Sequence, residues 1–222
     1  MLCGRGQSSG RVGWGPAPVA FSGDSPTSEV SRSPQSVLCA TCPGCSHGFG
    51  LKCVDSTNES RDRCKAIMRK QHGVITRGQA LSAGLSSRQV EHRLCSGVWS
   101  RLLPRVNAPV ELRATWHQRV MAACLWAGDG AAASHRTAAA LLRLPGFAKG
   151  KIEISTARRL RRPGLVAYRR SLRPSDVMKV DGIPVTSVPI TLLNLAAVES
   201  LDRLEVAVDD VLVRGLVTWA RL

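Results

Sequence analysis

Residues 76–97 read TRGQALSAGLSSRQVEHRLCSG, and this stretch decides the fold of the segment around it. Thr76 and Gln79 form a capping-box pattern, in which the hydroxyl bonds a backbone N–H three residues on and the amide reaches back. Ser86 and Gln89 repeat the pattern after an intervening glycine. Two capped helices about ten residues apart, joined through glycine, indicate a helix-turn-helix.

The second helix of this pair, predicted from Ser87 to Ser96, has one apolar and one polar side. Val90 and Leu94 face inward at helical spacing, whereas Arg88 and His92 face outward. Arginine and glutamine near the start of such a helix are the residue types that read guanine and adenine edges in the major groove. A solvated polar face, which any surface helix has, is the alternative. The candidate base-reading residues are Arg88, Gln89, His92 and Arg93.

A small hairpin, or wing, is predicted after these helices. Residues 98–102 alternate in polarity, as a strand does, and Pro104 and Arg105 form a turn. Residues 106–108 are predicted to form the second strand of the hairpin. Arginines on such a hairpin lie where they can contact phosphates. The candidate phosphate contacts of this segment are Thr76, Arg77, Arg101 and Arg105.

Charge is the strongest signal in the composition. The chain of 222 residues has 31 Lys and Arg against 16 Asp and Glu, a net charge of +15. This excess favours a polyanionic partner, nucleic acid by default, although an arginine-rich codon usage is an alternative reading. The aromatic content of 4% argues against a stacking surface for single strands, so duplex DNA is preferred.

Residues 1–59 are predicted to be a disordered tail, or sequence added by a misplaced start codon. Thiolates at the short spacing of its cysteines could hold zinc, but a structural zinc site has two ligand pairs separated by a dozen or more residues. An inert tail and no cofactor are therefore favoured. The zinc ligands in the alternative reading are Cys39, Cys42, Cys45 and Cys53. With no membrane span or export signal, we expect a cytoplasmic protein without membrane contacts.

Residues 111–222 are predicted to be a small mixed α/β domain. Residues 116–127 form an apolar helix, and Ser134 caps a helix from His135 to Leu144. Residues 151–155 and 165–169 alternate as strands, and the basic segment between them is predicted to be a hairpin tip. Cys95 and Cys124 are predicted to be buried thiols. The basic segment is either a solvated tip or a phosphate or RNA clamp made by Arg158, Arg159, Arg161 and Arg162.

Catalytic patterns were also considered. Ser134 and His135 pair a hydroxyl with a base, but serine at a helix start is an ordinary cap. Glu153 lacks the lysine two residues on that a metal nuclease core requires, and the histidines 72, 92 and 117 are scattered without ligand spacing. We therefore predict that the chain is not an enzyme.

The chain resembles the AbiEi-type antitoxins, in particular their actinobacterial branch, over about residues 62–222. The N-terminal part of the resemblance rests on Lys70–Leu81, on Gly84-Leu85-Ser86, on Arg93-Leu94 and on Gly97. The rest lies in the second half, at Ala133–Ala139, Leu144–Gly146, Asp181–Thr186 and Thr191–Ala196. The chain departs from the family at the wing, residues 103–107. It also departs at Ile190, where the family usually has arginine, and at Asn194, where the family usually has aspartate.

The resemblance implies a fold and a function. It implies an α+β chain in which a winged helix-turn-helix (residues 60–110) precedes the small α/β domain (residues 111–222). It also implies a regulator that binds operator DNA, represses its own operon and neutralises a nucleotidyltransferase toxin, with which it needs no direct complex. In one alternative, the chain is the N-terminal targeting part of a protein with an endonuclease domain resembling the very-short-patch-repair (Vsr) enzymes, cut before that domain. In another, it is an interaction module whose charge is incidental.

Overall fold

The computed structural model describes residues 51–110 and 114–218. Within these ranges the protein is α+β, with seven α-helices and two β-sheets, and the described residues belong to one compact unit. Most of the predicted tail, with Cys39, Cys42 and Cys45, lies outside the described residues. The backbone of Cys53 lies in the first helix.

Helix α1 spans Leu51–Lys70, so its first turns lie within the segment 1–59 that was predicted to be a disordered tail. Cys64 and Met68 lie one turn apart and are both buried, as the helical spacing predicts. The helix ends where the backbone turns left-handed at His72 and Gly73, and the Gly73 N–H donates to the Met68 carbonyl at 2.7 Å.

A first layer of short elements follows α1. Helices α2 and α3 lie between β1 and β2 in the chain, and the antiparallel sheet has the order β1-β3-β2. Apolar side chains of α1, α2, α3 and β2 form a small core centred on Val90, which is fully buried. The elements are β1 (Ile75–Thr76), α2 (Arg77–Ser82), α3 (Ser87–Cys95), β2 (Trp99–Leu103) and β3 (Val106–Pro109).

The second sheet has five strands in the order β6-β5-β4-β8-β7. Strand β4 pairs antiparallel with β5 and parallel with β8, and β7 and β8 form an antiparallel hairpin. That hairpin turns at Asp181 and Gly182, both left-handed, the conformation that a two-residue type I′ turn requires. The strands are β4 (Ala132–Ala133), β5 (Ile152–Thr156), β6 (Leu165–Arg169), β7 (Val177–Val180) and β8 (Ile183–Thr186).

Strands β5 and β6 are parallel, and Ile152 pairs with Leu165 in register. The prediction of a hairpin between them is therefore wrong. Residues 157–164 do not form a tip but carry the chain back along β5 to the start of β6. Alternating polarity is the same in parallel and antiparallel strands, so the pattern could not distinguish the two arrangements.

Four helices complete the fold. Helix α4 begins and ends where the sequence predicts, and Trp116 donates its indole N–H to the Gly150 carbonyl at 2.9 Å. Helix α5 ends at Leu141 rather than Leu144, and Arg143 takes a left-handed conformation after it. The helices are α4 (Trp116–Ala127), α5 (His135–Leu141), α6 (Val188–Ala196) and α7 (Leu201–Val213).

One hydrophobic core connects the two sheets through α4. Val74, Leu103 and Val106 from the first layer pack in the same cluster as Val120 of α4 and Ile154 of β5. A second cluster lies among α5, α6 and α7. No helix among the described residues is long and apolar enough to cross a membrane.

Candidate nucleic-acid interface

Both predicted capping boxes are present, and they define the helix pair. Thr76 Oγ1 accepts from the Gln79 N–H at 3.1 Å, and Gln79 Oε1 accepts from the Thr76 N–H at 2.9 Å. At α3 the corresponding distances between Ser86 and Gln89 are 3.2 and 2.8 Å. Gly84 between the helices has φ +99°, and a Cβ there would approach Ser60 Oγ to 2.6 Å. The turn therefore requires glycine.

Helix α3 presents the side predicted from its periodicity. Val90 is fully buried and Leu94 is half-buried, whereas Arg88 and His92 are exposed. Cys95 is exposed, so the prediction of a buried thiol is wrong at this position. It lies roughly 140° around the helix from Val90, which takes it away from the core.

Gln89 and Arg93 have partners within their own segment. The side-chain oxygen of Gln89 accepts the Ser86 backbone N–H at the start of α3, which leaves the side-chain NH₂ group of Gln89 available. Arg93 donates to the Gln89 carbonyl at 3.1 Å and lies 5.5 Å from the centre of the Trp99 ring. Arg88 and His92 are therefore better placed than these two to contact a partner.

A shallow cleft lies along α3 and includes a residue that sequence reasoning missed. Arg61 of α1 lines it beside Arg88 and His92. Burial, and then the positive charge of Arg61, lowers the pKa of the Arg93 guanidinium. Two like charges held close together favour an anion at this surface. The signal for Arg61 was its position three residues before the buried Cys64, at the edge of the apolar stripe of α1.

The β2–β3 hairpin carries two of the predicted phosphate contacts, Arg101 on strand β2 and Arg105 at the turn. Arg101 and Arg105 are both exposed, and Arg105 has φ +65°, a conformation that favours glycine. Arg105 also accepts the Arg77 backbone N–H at 2.8 Å, which fixes the turn against the start of α2. The Arg77 side chain pairs with Glu91, so its charge is partly compensated within the fold.

A larger groove, the basic cleft, lies beside the β2–β3 turn and has a volume of about 1250 Å³. Among its lining residues in the described part of the chain, five are basic and one, Asp129, is acidic. Arg158 of the predicted clamp lies in this groove with Arg105, whereas Arg159, Arg161 and Arg162 do not line it. The basic lining residues are Lys70, Arg105, Arg158, Arg173 and Lys179.

The buried polar residues of the second sheet are structural partners of one another. Ser134 does not cap α5 with its side chain, because its Oγ lies 3.0 Å from His135 Nδ1. Glu153 takes over the capping role and accepts the Arg136 backbone N–H at 2.8 Å. Arg136 also bridges the buried carboxylates of Glu153 and Glu199. The prediction that Ser134 caps this helix is therefore wrong in mechanism.

His135 is buried against an aromatic ring. Its ring stacks on Tyr168 with centroids 3.5 Å apart, and burial lowers its pKa to about 4, with the charges of Arg136 and Arg170 adding to the effect. Ser134 is completely buried.

Two other histidines are brought together, which the sequence spacing did not predict. The rings of His72 and His117 lie 5.8 Å apart, and His72 Nε2 donates to the Asp181 carbonyl at 2.6 Å. Within the described residues, no group of three or more His, Cys, Asp or Glu side chains could hold a metal ion.

No protein-family model matches the chain, and no curated protein is significantly similar to it.

Proposed function

We propose that this protein is a duplex-DNA-binding transcriptional regulator of the AbiEi antitoxin type, in which α2, α3 and the β2–β3 hairpin act as a winged helix-turn-helix. It represses its own operon through operator DNA and has no catalytic activity of its own. In this role Arg88 and His92 approach base edges, while Arg101 and Arg105 contact phosphates.

The arrangement of α2 and α3 is the observation that carries the proposal. Two capped helices meet at a left-handed glycine, and the second leaves Arg88 and His92 exposed while Val90 packs inward. A short antiparallel hairpin with two exposed arginines stands next to them in the chain. This combination supports groove reading with phosphate contacts on either side.

Base reading is tested by a mobility-shift titration with the DNA upstream of the gene. Replacing Arg88 and His92 by alanine should weaken binding by about tenfold or more, since each good base contact contributes about 1–3 kcal/mol of discrimination. Arg143→Gln, which removes one exposed charge after α5, is the matched control. Unchanged affinity of the double variant, with an unchanged melting temperature, would reject the assignment of α3.

Phosphate contacts are tested separately by the salt dependence of binding. Each phosphate contact contributes about −0.9 to the slope of log affinity against log salt concentration. Arg101→Gln and Arg105→Gln should therefore each make the slope less negative by about 0.9. A wild-type slope near zero would instead favour an interaction module whose charge is incidental.

Toxin neutralisation is the part of the proposal that rests on the family resemblance alone. In cells arrested by a nucleotidyltransferase toxin of the kind that this family opposes, co-expression of the chain should restore growth. Because such antitoxins act without a direct complex, rescue should persist when Arg88 and His92 are replaced. Failure of the wild-type chain to rescue growth would remove this part and leave the DNA-binding proposal standing.

A further inference from the structure

The basic cleft combines charge with one aromatic surface. Trp126, near the end of α4, lines the cleft and is half-buried, with part of its side chain packed on the central core. The part of the indole that the core leaves uncovered is available as an apolar surface within a basic groove. Aromatic side chains of this kind stack on nucleobases.

Arg158 lines the same cleft as Trp126 and is bonded to the backbone at the end of α4. Its Nη1 donates to the Ala127 carbonyl at 3.4 Å, one residue after Trp126. Because a guanidinium has five N–H donors, most of them remain available after this bond. The cleft therefore presents an anion-binding group close to an aromatic surface.

Exposed cations from other elements face the same space. Arg105 lies on the β2–β3 turn and Lys179 on β7, and both are exposed lining residues. Arg173 lines the cleft too, but it is paired with Asp176. Asp129 is the only acidic residue among the described lining residues, so an anion bound in the groove would meet little electrostatic repulsion.

We propose that the basic cleft binds a phosphorylated nucleotide, with its base on Trp126 and its phosphates toward Arg158 and Lys179. A single aromatic residue suits one base, whereas a single strand of nucleic acid would require several. The cleft exceeds the roughly 300–1,000 Å³ of small-molecule sites, so a nucleotide occupies part of it. This site is separate from the α3 surface and does not depend on DNA binding.

The probe is ATP, compared with tripolyphosphate, in calorimetric titrations of the full chain without DNA. ATP should bind about tenfold more tightly than tripolyphosphate, because stacking adds to the phosphate contacts. Trp126→Leu should abolish this difference. Equal affinities for the two ligands in the wild type, or an unchanged preference in Trp126→Leu, would overturn the proposal.

The charged side of the site has a matched pair of variants. Arg158→Gln should weaken both ligands by about tenfold, since a charge-assisted hydrogen bond is lost. Arg159→Gln, one residue on but outside the cleft, should change neither affinity. Equal effects of the two variants would show a general charge effect and reject the site, and Lys179→Gln repeats the test in a residue that makes no bond to α4.

Phosphates of a bound DNA strand are the other source of the same chemistry. If Arg158→Gln weakens duplex binding but leaves ATP binding unchanged, the cleft serves strand phosphates and the nucleotide proposal fails. If Arg88→Ala weakens duplex binding but leaves ATP binding unchanged, the two sites are independent, as proposed.

Discussion

Lowering the pH from 7 to 5 is expected to destabilise the fold through His135. The ring is 5% exposed and stacked on Tyr168. Burial, followed by the positive charges of Arg136 and Arg170, lowers its pKa to about 4. An unfolded histidine titrates near pH 6.5, so the unfolded chain binds the proton more readily over this range.

The size of the effect follows from the difference between the two pKa values. Because the pKa of His135 is lower in the folded state, its contribution to stability is present above pH 6.5 and is lost as the pH falls toward 4. Between pH 7 and pH 5 the loss amounts to about 2 kcal/mol, and below pH 4 it approaches about 3 kcal/mol.

Urea unfolding at pH 7, 6 and 5, followed by tryptophan fluorescence, measures this loss. His135→Asn removes the titration, and asparagine tolerates the left-handed conformation of this residue, φ +50°. The variant should lose about 2 kcal/mol less than the wild type between pH 7 and pH 5. His92→Asn, an exposed histidine on α3, is the matched control.

Burial also lowers the pKa of His117, ahead of the charges of Lys149 and His72, while Asp181 opposes the shift. This contribution is common to the wild type and the His135→Asn variant and cancels in their difference. Equal losses of stability in both proteins would refute the account of His135.

Three further substitutions have definite expected outcomes. Arg105→Gly should raise the unfolding free energy by about 0.5–1 kcal/mol, because glycine adopts a left-handed backbone without strain. A decrease measured by urea unfolding would contradict this. Thr76→Ala should cost about 1 kcal/mol through the lost α2 cap, and no change in the same assay would deny the cap a stabilising role. Arg136→Met should lower stability by about 2–3 kcal/mol, because it leaves the carboxylates of Glu153 and Glu199 buried with fewer partners. Calorimetric melting measures this loss. An unchanged melting temperature would contradict the bridging role of Arg136.

Local features of the fold were predictable from the sequence. The capping boxes of Thr76 and Ser86 depend on residues three apart, and both were identified correctly. The bounds of α4 were also correct, because an apolar period ended by Gly128 is a local signal. The α+β class followed from these elements.

Long-range features were not predictable in the same way. Whether β5 and β6 run parallel depends on the path of residues 157–164, which alternation does not encode. The proximity of His72 and His117 and the placement of Arg158 beside Ala127 result from tertiary packing. A single sequence contains no spacing rule for such contacts.

The shared core around α4 bears on how this protein is dissected in the laboratory. A fragment ending near residue 110 would retain Val74, Leu103 and Val106 but lose the apolar partners that cover them. Such a fragment is expected to aggregate, because apolar side chains that are buried in the intact chain would be exposed. Deletion studies of the part of the chain before residue 110 should therefore keep α4, and point substitutions in the intact chain are the cleaner approach.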